Sequence, residues 1–272
     1  MSLTPFSWHW DPTVLLGLSV SAVGYALLAW RLWRTAGRFD RRAAAAWILG
    51  LLIILVALES PLDGIAEEKL LSAHMLQHGL LMSVAPPLLL LGMYPRLIVP
   101  FSRPIIKPLL LNPRAHSALR VLSAPAIALG LWLAALYVWH LPVVYQAALQ
   151  HDNLHIVEHL FFVNAGLLFW APIIEPVPAL VRMKPLAKLG YLAAAEAGMA
   201  MLVALFLWGP QLYPFYDGAS LWDISWSLDQ RLAGLVMVVV DMLVVLTAAS
   251  WISFRALADI ERRHRRLAPT TK

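Results

Sequence analysis

The 272-residue sequence contains no cysteine. Disulfides and thiolate metal ligation are therefore excluded, the redox compartment is not legible from cysteine usage, and any soft-metal ligand must be histidine or methionine. Charge is scarce as well: 14% of residues are charged and 60% are apolar, and the mean hydropathy is +0.70. Soluble domains do not have that balance. There is no Gly-rich loop followed by Lys and no Gly-x-Ser-x-Gly turn, which sets aside phosphoryl transfer and serine hydrolysis. The net charge of +5 sits in short basic stretches between apolar runs. Such stretches report membrane topology and give no sign of nucleic-acid binding. Met1 to Pro12 carry no Lys or Arg ahead of the first apolar run, unlike a secretory signal, so the first span is expected to be retained.

What is present is a succession of apolar runs of membrane-spanning length, roughly 20 residues each. They predict an all-α polytopic membrane protein, a single domain over residues 1–272 with seven transmembrane helices. The expected spans are 13–33, 43–58, 73–92, 119–140, 154–172, 188–208 and 228–254. Pro86-Pro87 removes backbone donors and is expected to kink the third span near its middle. Arg31, Arg34, Arg38, Arg41 and Arg42 follow the first span, and acidic Glu59, Asp63, Glu67 and Glu68 follow the second. Arg96, Arg103, Lys107 and Arg114 lie between spans three and four, and Arg182 and Lys184 between five and six. Arg255, Arg262, Arg263, Arg265 and Arg266 follow the seventh, whereas the segments after spans four and six carry Asp152, Asp217 and Asp223 without Lys or Arg. The positive-inside rule then places the N-terminus outside and the C-terminus inside. The Pro-rich loop from Tyr94 to Pro113 reads as an ordinary inside loop.

With that orientation, His9, His74, His78, His140, His151, His155 and His159 fall on the outer side, and only His116 and His264 fall inside. Spans three and five each open with a His-x-x-x-His pair, His74 with His78 and His155 with His159. A spacing of four puts both imidazoles of a pair on one helical face, where they can reach a single ion. Packing these parallel helices together gathers up to four imidazoles, with His140 and His151 as weaker additions. A lone interfacial histidine is usually just hydrogen-bonded to a loop; two pairs on one side favour function. Met82, Met199, Met201 and Met237 share a level roughly 10 to 14 Å below the outer helix ends, at about 1.5 Å per residue. Thioethers favour Cu(I), so a histidine layer above a methionine layer points to copper, set against methionine's common packing role. Asp229, at the outer start of span seven, is the preferred carboxylate ligand or base. Glu158 is expected either to orient a ligand imidazole from behind it or relay a proton, or simply to pair at the interface. Glu196 and Asp241 sit near the bilayer midplane, as a hydrogen bond between helices or a proton path.

The ordered motifs AHMLQHGLLM (73–82) with APPLLLLG (85–92), HIVEHLFF (155–162) with GLLFWAP (166–172), and DQRLAGLVM (229–237) resemble the CtaG-type cytochrome c oxidase assembly factors. These are multi-span proteins, distinct from the single-span, cysteine-bearing copper chaperones that share the name. The resemblance runs from span three to span seven. Ala171 stands where a second tryptophan is expected, and Val238 replaces an expected aromatic. The resemblance implies a bacterial plasma-membrane protein that helps make an active haem-copper oxidase by helping copper reach its centres. Implied partners are the oxidase subunits and a copper donor protein, besides the lipid bilayer, with no substrate turned over. His74, His78, His155, Glu158, His159, Asp229 and Met237 occupy its motif positions. The rival readings are a haem-binding membrane redox protein using the paired histidines, and a metal-free assembly scaffold.

Overall fold

A computed structural model describes residues 6–94, 97, 111–122, 124–176, 182–216 and 221–267. Among them the secondary structure is helical, with no strand. We number the helices α1 (Pro12–Ala36), α2 (Arg41–Glu59), α3 (Pro61–Glu68), α4 (Leu71–Gly92), α5 (Pro113–Leu122), α6 (Pro125–Trp139), α7 (Pro142–Gln150), α8 (Asp152–Ile174), α9 (Pro185–Trp208) and α10 (Trp226–Leu267). Six of them, α1, α2, α4, α8, α9 and α10, are long and apolar enough to cross a membrane. The pair α6 and α7, bent by 71° at its junction, meets the same criterion as a seventh. The protein is an all-helical membrane protein.

Local sequence sets the helix ends. The Asp11 side chain accepts from the backbone N–H of Thr13 and Val14, Pro12 follows in the first turn, and Gly37 closes α1 in the left-handed region at φ 61°. Asp40 caps α2 through Arg42 and Ala43, and Ser60 caps α3. α4 has no cap of its own: Leu70 offers no side-chain acceptor. Asp229 of α10 supplies one instead, accepting from the N–H groups of Leu71 at 2.7 Å and Ser72 at 3.0 Å and from the Ser72 hydroxyl at 2.5 Å. The carboxylate sits where the helix dipole favours negative charge. It therefore fixes α4 to α10.

α4 is the central helix, packed against α2, α3, α8 and α10. The kink expected at Pro86-Pro87 takes the form of a π-helical segment, Leu80–Val84, immediately before the prolines. Neither proline has an N–H for the carbonyls of Met82 and Ser83, and the widened turn absorbs the mismatch. α8 crosses α4 there at Gly166, where a Cβ would lie 2.3 Å from the Met82 carbonyl oxygen and 2.5 Å from Pro86. Only glycine permits that approach. With His155 beside His74 at one end and Gly166 beside Met82 further along, α4 and α8 run parallel.

Two boundaries differ from expectation. The fourth span, expected over 119–140, does not begin at Leu119. Residues up to Leu122 belong to the separate, polar-faced α5, and a new helix starts at Pro125. Pro fixes the chain at a helix start and disfavours helix in the residue before it. The seventh, expected to end at Phe254, continues as helix to Leu267, with ion pairs Arg262–Asp259 and Arg265–Glu261 along its exposed extension. The stretch 98–110 of the Pro-rich loop, with Arg103 and Lys107, and also Arg96 and Asp217, lies outside the described residues.

Candidate metal centre

The two His-x-x-x-His pairs meet. Ring centroids are 4.3 Å apart for His74 and His78, 4.1 Å for His155 and His159, and 5.3 Å between the pairs for His74 and His155. His78 lies 5.8 Å from His159 and also 5.8 Å from His140, which is held at the corner between α6 and α7. All five rings are buried. The ligand nitrogens of His74, His155 and His159 lie within 4.8 Å of one another, and so do ligand atoms of His74, His78 and Glu158. His74 belongs to both groups.

The hydrogen bonds around the rings decide which nitrogen each presents. Tyr216, on a loop turn before α10, donates its one hydroxyl proton to the Ala66 carbonyl at 2.7 Å. Burial pushes that phenol well above its ordinary range, so it keeps the proton. Its oxygen then accepts from His74 Nδ1–H at 3.0 Å and from the Tyr145 hydroxyl at 3.0 Å. His74 Nε2 is left with a lone pair and no partner. His155 Nδ1–H donates to Glu67 at 2.7 Å, and its Nε2 is likewise without a partner. His140 Nδ1–H donates to the Leu136 carbonyl at 2.7 Å, and its Nε2 faces the sulfur of Met75 at 3.2 Å. An imidazole held at one nitrogen with the other bare is in the form that ligates a metal.

Unpaired polar atoms concentrate here. His159 Nε2, both ring nitrogens of His78 and both oxygens of the fully buried Glu158 have no hydrogen-bond partner. His78 Nε2 and Glu158 Oε1 are 3.7 Å apart, too far for a hydrogen bond. Each buried polar atom left unpaired costs about 1–3 kcal/mol, and charged groups cost more. So many together call for a common partner at the centre. Three or four imidazoles with one carboxylate are a donor set for a transition-metal ion.

The other expected site residues divide. Met82, Met199 and Met237 are buried below the histidines and share one small cavity with Met75, His78 and His140. Met201 is exposed, 64% of its surface free, because two residues along a helix turn a side chain about 200° from Met199. His151 is also exposed and bonds the Ala147 carbonyl. It stands at a break between helices with extended backbone, so the i, i+4 face that carries His155 and His159 does not reach it. Asp229, expected as a ligand or base, has both carboxylate oxygens committed to capping α4. Glu158, expected behind the ligands, stands among them. Asp241 accepts from the Ser83 hydroxyl at 2.6 Å, beside Glu196.

Sequence reasoning missed Tyr216, Tyr145, Glu67 and Met75. Met75 lies inside the AHMLQH motif and carried a signal; the other three reach the histidines from distant segments. Beyond Glu67, Asp63 holds a polar chain to the N-terminal segment, with its carboxylate bonded to Gln77 at 2.6 Å and His9 at 3.2 Å. The model of the cytochrome c oxidase caa3 assembly factor family, Caa3_CtaG, matches residues 23–259. The chain belongs to that family. The match takes in α4, α8, α10 as far as Asp259, and every histidine of the cluster. No curated protein and no solved structure matches the chain. The family's description gives the work, assembly of a caa3-type cytochrome c oxidase, and hence the oxidase as partner.

Proposed function

We propose that this protein binds copper at the histidine cluster and assists its insertion into a haem-copper oxidase during assembly. The observation that carries the reading is that ligand nitrogens of His74, His155 and His159 lie within 4.8 Å of one another while Nε2 of each ring is buried without a partner. Imidazole suits copper, and the buried methionines beneath favour its monovalent form. Haem is disfavoured because three imidazole nitrogens converge within 4.8 Å of one another, whereas a haem iron takes one axial ligand on each face with the macrocycle spread between them. In this reading copper is cargo, and no substrate is turned over.

In this reading the N-terminus and the histidine cluster lie on the outer face of a bacterial plasma membrane and the C-terminus inside, an orientation that the basic loops support through the positive-inside rule. Copper would then arrive from a donor protein on that face. Glu67, partly exposed and paired with His155, is the more accessible partner of the cluster, so the ion enters past Glu67 and settles on His74.

The test is metal analysis and an absorption spectrum of detergent-purified protein after copper loading, compared with His78→Ala and His159→Ala. Wild type is expected to retain copper and each variant to hold less of it. A Soret band would sink the copper reading in favour of haem. Failure of wild type to hold any metal would leave the scaffold reading. In cells, the double variant is expected to lower oxidase copper content with smaller effects on subunit levels; unchanged oxidase copper would count against delivery.

A further inference from the structure

Below the histidine cluster lies a cavity of about 30 Å³, lined by Met75, Met82, Met199, Met237, His78 and His140. Four of the chain's nine methionines thus converge from α4, α9 and α10 on a space that fits one water or one ion. All four are buried.

His140 sharpens the case. Its Nδ1 hydrogen is committed to Leu136, so a neutral ring points a bare lone pair at the Met75 sulfur, which has no hydrogen either, across 3.2 Å. Two facing lone pairs repel. A cation held by both removes the conflict. With metal–ligand lengths of about 2.0 Å to nitrogen and 2.3 Å to sulfur, the pair subtends roughly a right angle at an ion. His78, 4% exposed and with both ring nitrogens unpartnered, lines the same space.

We propose that this cavity is a second copper position, selective for Cu(I), with His140 Nε2 and the Met75 thioether as its anchoring ligands and the other methionines completing it. The inference rests on the copper reading of the histidine cluster above. Neutral thioether and imidazole donors select a soft monovalent ion, and the carboxylate at the cavity floor, Asp241, is engaged by Ser83. The upper position, with Glu158 and three or four imidazoles, also accepts divalent ions such as Zn(II). His78 borders both and is the residue through which Cu(I) passes from one to the other. No electron transfer is involved, because the ion is Cu(I) throughout.

The experiment is anaerobic Cu(I) titration of detergent-purified protein against a chromophoric Cu(I) chelator, with X-ray absorption at the copper edge and a parallel Zn(II) titration. Wild type is expected to take two Cu(I) per chain, one with sulfur neighbours, and one Zn(II). Met82→Leu/Met237→Leu and, separately, Met75→Leu are expected to lose one Cu(I) and the sulfur signal while keeping Zn(II). Leucine preserves core volume, and retained Zn(II) reports a folded bundle. His155→Ala/His159→Ala is expected to lose Zn(II) and one Cu(I) but keep the sulfur-ligated ion. A wild type that takes a single Cu(I) with nitrogen neighbours only, or methionine variants with undiminished Cu(I) and sulfur signal, overturns the second position and leaves the upper one standing. If the histidine variant binds every ion as wild type does, the copper reading of the upper cluster falls instead.

Discussion

Tyr216 governs the histidine centre without needing to touch an ion. Its single proton is spent on Ala66, which obliges His74 to hold its own hydrogen on Nδ1 and to turn Nε2 toward His155 and His159. Tyr216→Phe releases that constraint and leaves the Ala66 carbonyl without its donor. Metal affinity is expected to fall 10- to 100-fold, the usual effect of losing a partner that orients a ligand, with stoichiometry unchanged. Competitive titration measures it; an affinity unchanged within twofold would show that His74 is held some other way. A second residue titrates at the same end. Asp63, on α3, is pushed up to about 6 from 3.8, mainly by burial and next by the charge of Glu67. The folded state therefore keeps a proton that the unfolded chain gives up above about 4. This group's stabilisation is complete below that point and is lost as pH rises through about 6, a change of up to about 3 kcal/mol. Asp63→Asn is expected to flatten the fall in melting temperature between pH 4.5 and 7. A slope equal to wild type would assign the pH dependence elsewhere.

At the level of helices, the crossing of α4 and α8 has no slack. Gly166→Ala would drive a methyl into the Met82 carbonyl and Pro86, so either the π segment or the α8 axis must shift. The expected cost is about 1–3 kcal/mol, visible as a lowered melting temperature in detergent. Full wild-type stability would mean that the helices part easily there. The sequence showed where most of these helices are because a lipid span advertises itself by length and apolarity alone. It did not show the break before Pro125, where the apolar run continues through a change of helix. The i, i+4 histidine pairs were legible because their geometry is local. Their partners were not: Glu67, Tyr145 and Tyr216 become neighbours of the histidines only through tertiary packing. Asp229 misled for a definite reason, since a carboxylate at a helix end suits a metal and the N-terminus of a neighbouring helix equally well. Met201 carried its own warning, being two residues from Met199 on a helix that can turn only one of them inward.

For the whole molecule, orientation is the property on which the proposed delivery depends. The native chain has no cysteine, so a single introduced one gives a clean label. Asn153→Cys, exposed at the start of α8, is expected to react in intact cells with a membrane-impermeant maleimide. Ala258→Cys, exposed on the α10 extension, is expected to react only after the membrane is opened. The opposite pattern would put the histidines on the inner face and rule out loading from the outer side.

Two irregularities of the backbone, the π segment in α4 and the 71° corner carrying His140, border the methionine cavity. Hydrocarbon tolerates broken helical ladders only where protein or water shields them. The depth at which the helices lose their regularity therefore marks how far a polar environment penetrates the bundle. It extends at least to Ser83, and below it single polar ties, from the Tyr25 hydroxyl to the Gly92 carbonyl and from the Tyr191 hydroxyl to the Phe169 carbonyl, supplement side-chain packing.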